Sequence, residues 1–62
     1  MSIKEILKIR LDQINNHIEI YKKHAIEEIQ REEIIPATSD LLMIRDLKEQ
    51  QGLIRELLEI KE

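Results

Sequence analysis

His17 and His24 stand seven residues apart, and Glu28 follows His24 by four. On a helix those steps place all three on one flank. Imidazole and carboxylate are zinc ligands, so the set could hold a metal if a second chain completed it. Two His at this spacing carry little specificity, and boundary residues that hydrogen-bond to neighbours account for them without an ion. No metal or other cofactor is expected. The Glu-x-x-His signature of di-iron bundles is missing: Tyr21 precedes His24 by three residues, and Ile14 precedes His17 by three.

Other chemistry has little to build on. Ser2 and Ser39 read as helix caps, and neither has a patterned base nearby. A single Gly rules out a phosphate-cradling loop. Glu27-Glu28 and Glu32-Glu33 sit on charged helix surface with no pocket to raise a carboxyl pKa. The expectation is a protein that is not an enzyme.

Charge and composition narrow the remaining classes. Ten basic residues face thirteen acidic ones, a net of −3. No run of five like charges suggests a nucleic-acid or acidic tail. Lys4 and Lys8 are one turn apart, but Lys22 and Lys23 lie far along the helix, so no basic stripe for phosphates is evident. No apolar run approaches a membrane span, and charges interrupt every apolar stretch of the N-terminus, against a signal peptide. Cysteine is absent, which fits a reducing compartment. A cytoplasmic protein with neither membrane nor nucleic acid as its partner is the expectation.

Two helices must position these residues. Met1 to Ile6 reads as a helix start: Ser2 and Glu5 have capping-box spacing, and Met1 and Ile6 suit a hydrophobic staple. That start suggests that Met1 is a genuine beginning. Leu7, Leu11, Ile14, Ile18, Tyr21 and Ala25 alternate by four and three residues, a heptad-like seam that Ile3 and Ile29 extend. Helix 1 is predicted over about residues 3–32. Pro36 breaks the pattern, so the joint is predicted at about 33–39, with Ser39 favoured over Thr38 and Asp40 as the next N-cap. Helix 2 is predicted over about 40–61, with a seam of Met43, Ile44, Leu47, Ile54, Leu57 and Leu58. So short a joint favours antiparallel neighbours. The fold class is all-α, one antiparallel hairpin domain over 1–62.

The apolar arcs are too wide for a lone hairpin. On helix 1, Ile6, Ile9 and Ile20 fall roughly 100–160° from the seam; on helix 2, Leu42, Leu53, Ile60 and Ile44 widen the arc to roughly 200°. A chain of 62 residues without disulfides is marginal alone. Pairing two hairpins into a four-helix bundle would cover the surplus. The expected dimer core is Leu7, Leu11, Ile14, Ile18, Tyr21, Ala25, Ile44, Leu47, Gln51, Ile54 and Leu58. Gln51, a polar residue on the seam beside Gly52, could set register or oligomer state, or could simply lie at a bundle edge. Ile6, Ile9, Ile20, Ile34 and Ile35 are the candidates for contact with a larger protein partner.

The size and hairpin plan resemble the small phosphatases of sporulating bacteria, whose second helix carries a Ser-Gln-Glu-Leu-Asp motif. Here the region reads Ser39-Asp40-Leu41-Leu42-Met43. The motif is absent, so the resemblance implies the hairpin architecture and carries over no residue or activity. Together the residues favour a dimeric adaptor or inhibitor of a larger protein. The alternatives are an RNA- or DNA-binding dimer, for which small RNA-binding hairpins of similar length are an architectural precedent, and a purely structural oligomerisation module.

Overall fold

A computed structural model describes residues 1–60. Two helices, α1 (Ile3–Gln30) and α2 (Ile34–Glu59), pack side by side as an antiparallel hairpin. The result is a rod with extents of 49 × 16 × 11 Å. The all-helical hairpin expected from the apolar spacing is the observed architecture.

The start of α1 follows from its cap. Ser2 is extended, and its hydroxyl accepts a hydrogen bond from the Glu5 N–H at 3.1 Å. This satisfies one of the four amides that open a helix without partners.

The joint differs from expectation. It spans only Arg31–Glu33, and α2 begins at Ile34, ahead of Pro36. The N-cap is Glu33, whose side chain makes no capping bond, and not Ser39. Proline is tolerated there because the first helical amides have no intrahelical acceptor in any case. The first helical bond of α2 runs from the Ala37 N–H to the Glu33 carbonyl at 3.2 Å, one residue past the ring. Thr38 and Ser39 therefore lie inside the helix, and the Thr38 hydroxyl donates back to the Ile34 carbonyl at 2.8 Å. Of the predicted end of helix 2, Lys61 lies outside the described residues; α2 closes at Glu59.

What turns the chain is a Schellman motif. The Glu33 N–H donates to Glu28 O at 2.8 Å and the Glu32 N–H to Ile29 O at 3.0 Å. That pattern needs a left-handed residue just beyond the helix, and Glu32 supplies it with φ 61°. Glycine usually holds this position because other L-residues pay a steric cost there.

The core lies along the contact of α1 with α2. Ile14, Ile18, Ala25, Ala37, Ile44, Leu47 and Ile54 are buried, and Leu7, Leu11, Tyr21 and Leu58 are half-buried. With the half-buried polar residues included, the seam is a strict alternation of fours and threes. On α1 it runs Leu7, Leu11, Ile14, Ile18, Tyr21, Ala25, Glu28. On α2 it runs Ala37, Asp40, Ile44, Leu47, Gln51, Ile54, Leu58. Ile3 and Ile29, expected to extend the first seam, are exposed, as are Met43 and Leu57 on the second. Glu28 continues the period where Ile29 does not, and the early start of α2 adds Ala37 and Asp40.

Candidate protein-interaction surface

The eleven residues expected to form a dimer core come together inside one chain. All are buried or half-buried between α1 and α2. The hairpin thus consumes the seams for its own closure, and any surface for another molecule lies outside them.

Gln51 has a specific partner across the hairpin. Its Nε2 donates to Asn15 Oδ1. Asn15 sits one residue beyond the Ile14 seam position, so the pairing links helix edge to seam and marks one register of α2 on α1. Asn15 was not singled out by periodicity, because a polar residue beside a seam leaves no apolar signature. Gly52 faces open space; it allows no close helix crossing within the hairpin.

A second polar contact closes the joint end. Glu28 on α1 and Asp40 on α2 are both half-buried. Glu28 Oε2 and Asp40 Oδ2 are buried atoms with no hydrogen-bond partner among the described residues. The Glu28 carboxyl is held above the ordinary glutamate range, first by a hydrogen bond shared with Asp40, then by desolvation and by the negative charges of Asp40 and Glu33; His24 works in the opposite direction. Glu28 was expected on charged outer surface; its place on the seam gives it this environment.

His17 and His24 are exposed. The ring of His24 meets Tyr21 edge-on, with centroids 6.5 Å apart and planes at 82°. Among the described residues no three His, Asp or Glu side chains converge as a metal site.

The flanks of the seam differ in chemistry. Seven-residue steps put Arg10, His17 and His24 on one side of the α1 seam, and Lys8, Asn15 and Lys22 on the other. On α2 the matching lines are Met43, Gln50 and Leu57, and Leu41, Lys48 and Arg55. Antiparallel packing brings the Lys22 line beside the Lys48 line, and both residues border one surface depression of about 250 Å³ with Asn15, Glu19 and Gln51. That side carries Lys8, Lys22, Lys48 and Arg55, with Lys22 paired to Glu19 at 3.6 Å. The other carries Met43 and Leu57, with Ile6, Ile20 and Leu53 one step further out.

Apolar exposure is extensive. Ile6, Ile9 and Ile20 are about half exposed, at 52%, 47% and 50%. They run along α1 on the flank and back away from the seam. Ile34 and Ile35, at 66% and 83%, lie in the first turn of α2 and not in a loop. The helix between Ile9 and Gln30 is roughly 30 Å long, so these five isoleucines do not form one patch. Leu41, Leu42, Met43, Leu53, Leu57 and Ile60 are also exposed; the spacing puts Met43 and Leu57 on the seam and only Leu42, Leu53 and Ile60 on its flank.

The total surface, polar and apolar together, is also large, as the rod shape of 49 × 16 × 11 Å requires. A monomer of 7.4 kDa is expected to expose about 4,200 Å², whereas the chain exposes 5,049 Å². The surplus is roughly 800 Å², the area that one partner contributes to a standard protein interface.

No helix of the described residues is long and apolar enough to cross a membrane. No family model matches the chain, and no curated protein or solved structure is detectably similar to it.

Proposed function

We propose that this chain is a non-enzymatic protein-binding module that works as a homodimer, forming a four-helix bundle that serves as an adaptor or inhibitor of a larger protein. The number of large apolar side chains left exposed carries the reading. Single exposed apolar residues are ordinary, but many together on so small a chain mark contact surface. Pairing two hairpins offsets the excess, and Ile9 and Ile34–Ile35, at the back of α1 and at the joint, remain for a different partner. The cytoplasm is the proposed compartment, in keeping with a chain without cysteine.

Light scattering after size exclusion at micromolar concentration tests the dimer. About twice the 7.4 kDa chain mass is expected; a well-folded monomer would sink the reading. For the larger partner, Ile9→Glu with Ile35→Ser should keep the dimer mass and helicity while losing the protein captured by the parent.

A second reading has one observation in its favour. Lys22, paired with Glu19, and Lys48 border one depression, and seven-residue spacing puts Lys8 and Arg55 on the same two lines. That side could follow a phosphate backbone, with the dimer formed on the opposite side. Binding to a generic RNA or DNA duplex that weakens steeply with salt would favour it; no binding at low salt would remove it.

A further inference from the structure

Resting on the dimer reading above, we infer that a second copy docks on the broad side that bears Ile6, Ile20, Met43, Leu53 and Leu57, one two-helix layer on another. The side with the Lys22–Lys48 depression stays open to solvent.

The hairpin has two broad sides, and their charges differ. Seven-residue steps run two lines of each helix along each side, sixteen residues to a side among those described. The side of Lys22 and Lys48 holds nine charged residues, five basic and four acidic. The side of Met43 and Leu57 holds three, Arg10, Glu27 and Asp46. An interface core is depleted of charge, because an ion buried there gives up its water. Glu27 lies at the joint end and Asp46 on an outer line, so both can stay at a wet rim. Arg10 can carry its guanidinium outward on a long apolar stem. His17 and Gln50 stand midway along this side. A two-fold axis crossing there sets no Lys, Arg, Asp or Glu against its own counterpart.

Exposed apolar residues also lie differently on the two sides. On the Lys22–Lys48 side Ile26, Ile29, Ile34 and Leu41 are exposed, and all four crowd the joint end. On the other side the exposed set starts with Ile3 and Ile6 at the open end, continues through Leu57, Leu53 and Ile20, and reaches Met43 near the joint. The contacts of Asn15 with Gln51 and of Glu28 with Asp40 put Met43 level with His24, so the strip that begins at Ile3 is roughly 30 Å long. Covering it takes a partner nearly as long as the hairpin itself.

A second copy has that length. The broad side measures 49 × 16 Å, a footprint of roughly 800 Å², the share that one partner gives to a standard interface. Two antiparallel helices laid on two others form a four-helix bundle, whose core is a covered strip of this kind. One basic and two acidic groups leave the side close to neutral, so a copy meets it without strong repulsion. An anionic lipid surface would call for a rim of cations instead.

The test compares two single variants of the full chain at matched exposure, Leu53→Glu and Leu41→Glu, 60% and 52% exposed and on opposite broad sides. Sedimentation equilibrium reads the dimer dissociation constant. Leu53→Glu buries two carboxylates in place of two leucines, and its constant should rise by about a hundredfold. Leu41→Glu should stay within a few-fold of the parent. If either variant loses helicity by circular dichroism, the parent itself answers by nuclear magnetic resonance. A soluble nitroxide should broaden the Leu41 methyls and spare those of Leu53 and Leu57 at a concentration where the chain is dimeric. A dimeric parent that tolerates Leu53→Glu, that is weakened equally by Leu41→Glu, or whose leucine methyls broaden alike overturns this face and leaves the dimer standing. A monomeric parent removes both.

Discussion

The Glu28 carboxyl on α1 meets the Asp40 carboxyl on α2 across the closed end of the hairpin, with one oxygen of each buried and without a donor. Two acids at facing seam positions repel when both are ionised and hold together when they share a proton. This makes the joint end of the molecule responsive to pH.

For the single hairpin, the folded Glu28 pKa lies above its unfolded value. The folded state keeps a proton in a range where the unfolded chain has released it. This contribution is full below the unfolded pKa and is lost as pH rises through the folded one. The melting temperature of Glu28→Gln should therefore exceed the parent's at neutral pH, and the gap should close on acidification into the ordinary glutamate range. A gap that stays constant with pH would show that the pair does not share a proton.

Glu32 should be replaceable with profit. It occupies a left-handed position with φ 61°, and it adds negative charge beyond the negative end of α1. Glu32→Gly removes the steric cost but adds freedom to the unfolded chain, for a net gain of about 0.5–1 kcal/mol. Glu32→Val should lose at least as much. Urea unfolding of the two variants measures both signs.

Gln51→Leu should raise thermal stability by about 1 kcal/mol. An apolar side chain would join Leu47 and Ile54 on the seam, while the half-exposed Asn15 amide can turn to water. The gain should come with a less certain register, seen as broadened amide resonances. A fall in melting temperature would show that the Asn15–Gln51 bond outweighs the apolar gain.

Ile14→Ala should be the most damaging truncation. Ile14 is wholly buried, at 0% exposure, and a cavity there costs about 2–5 kcal/mol, enough to unfold a small two-helix chain. Ile35→Ala should leave helicity unchanged, since Ile35 is 83% exposed. Circular dichroism melts separate the two.

Most of this fold was legible as a period. The spacing from Leu7 to Ala25 and the group Ile44, Leu47, Ile54 and Leu58 identify both seams, because apolar side chains at alternating threes and fours have one face to bury. The closed end was not legible. Pro36 reads as a break, since the ring looks the same in a loop and in a first turn; what decides is the three-residue Schellman turn before it, which uses Glu where Gly is the usual signal. With that start misplaced, Ala37 and Asp40 fell off the seam, and Glu28 lost its facing residue. Asn15 and Gln51 show the same limit: Gln51 stands out on the seam, but its partner is found only when the two helices lie side by side.

The hairpin departs from one uninterrupted helix at very few residues, chiefly Glu32 with its φ of 61° and Glu33 with its ψ of 81°. Were these to straighten, α1 and α2 would run on as one long rod kinked at Pro36, whose ring meets the Glu32 carbonyl and offers it no N–H. Two such rods could lie antiparallel and exchange arms, each α2 closing on the other chain's α1 with every seam contact kept. The turn, the proline inside the joined helix and the cost of association separate this domain-swapped form from the closed one. The joint is thus also a hinge, and a residue at position 32 that resists the left-handed conformation would favour exchange between chains at high protein concentration.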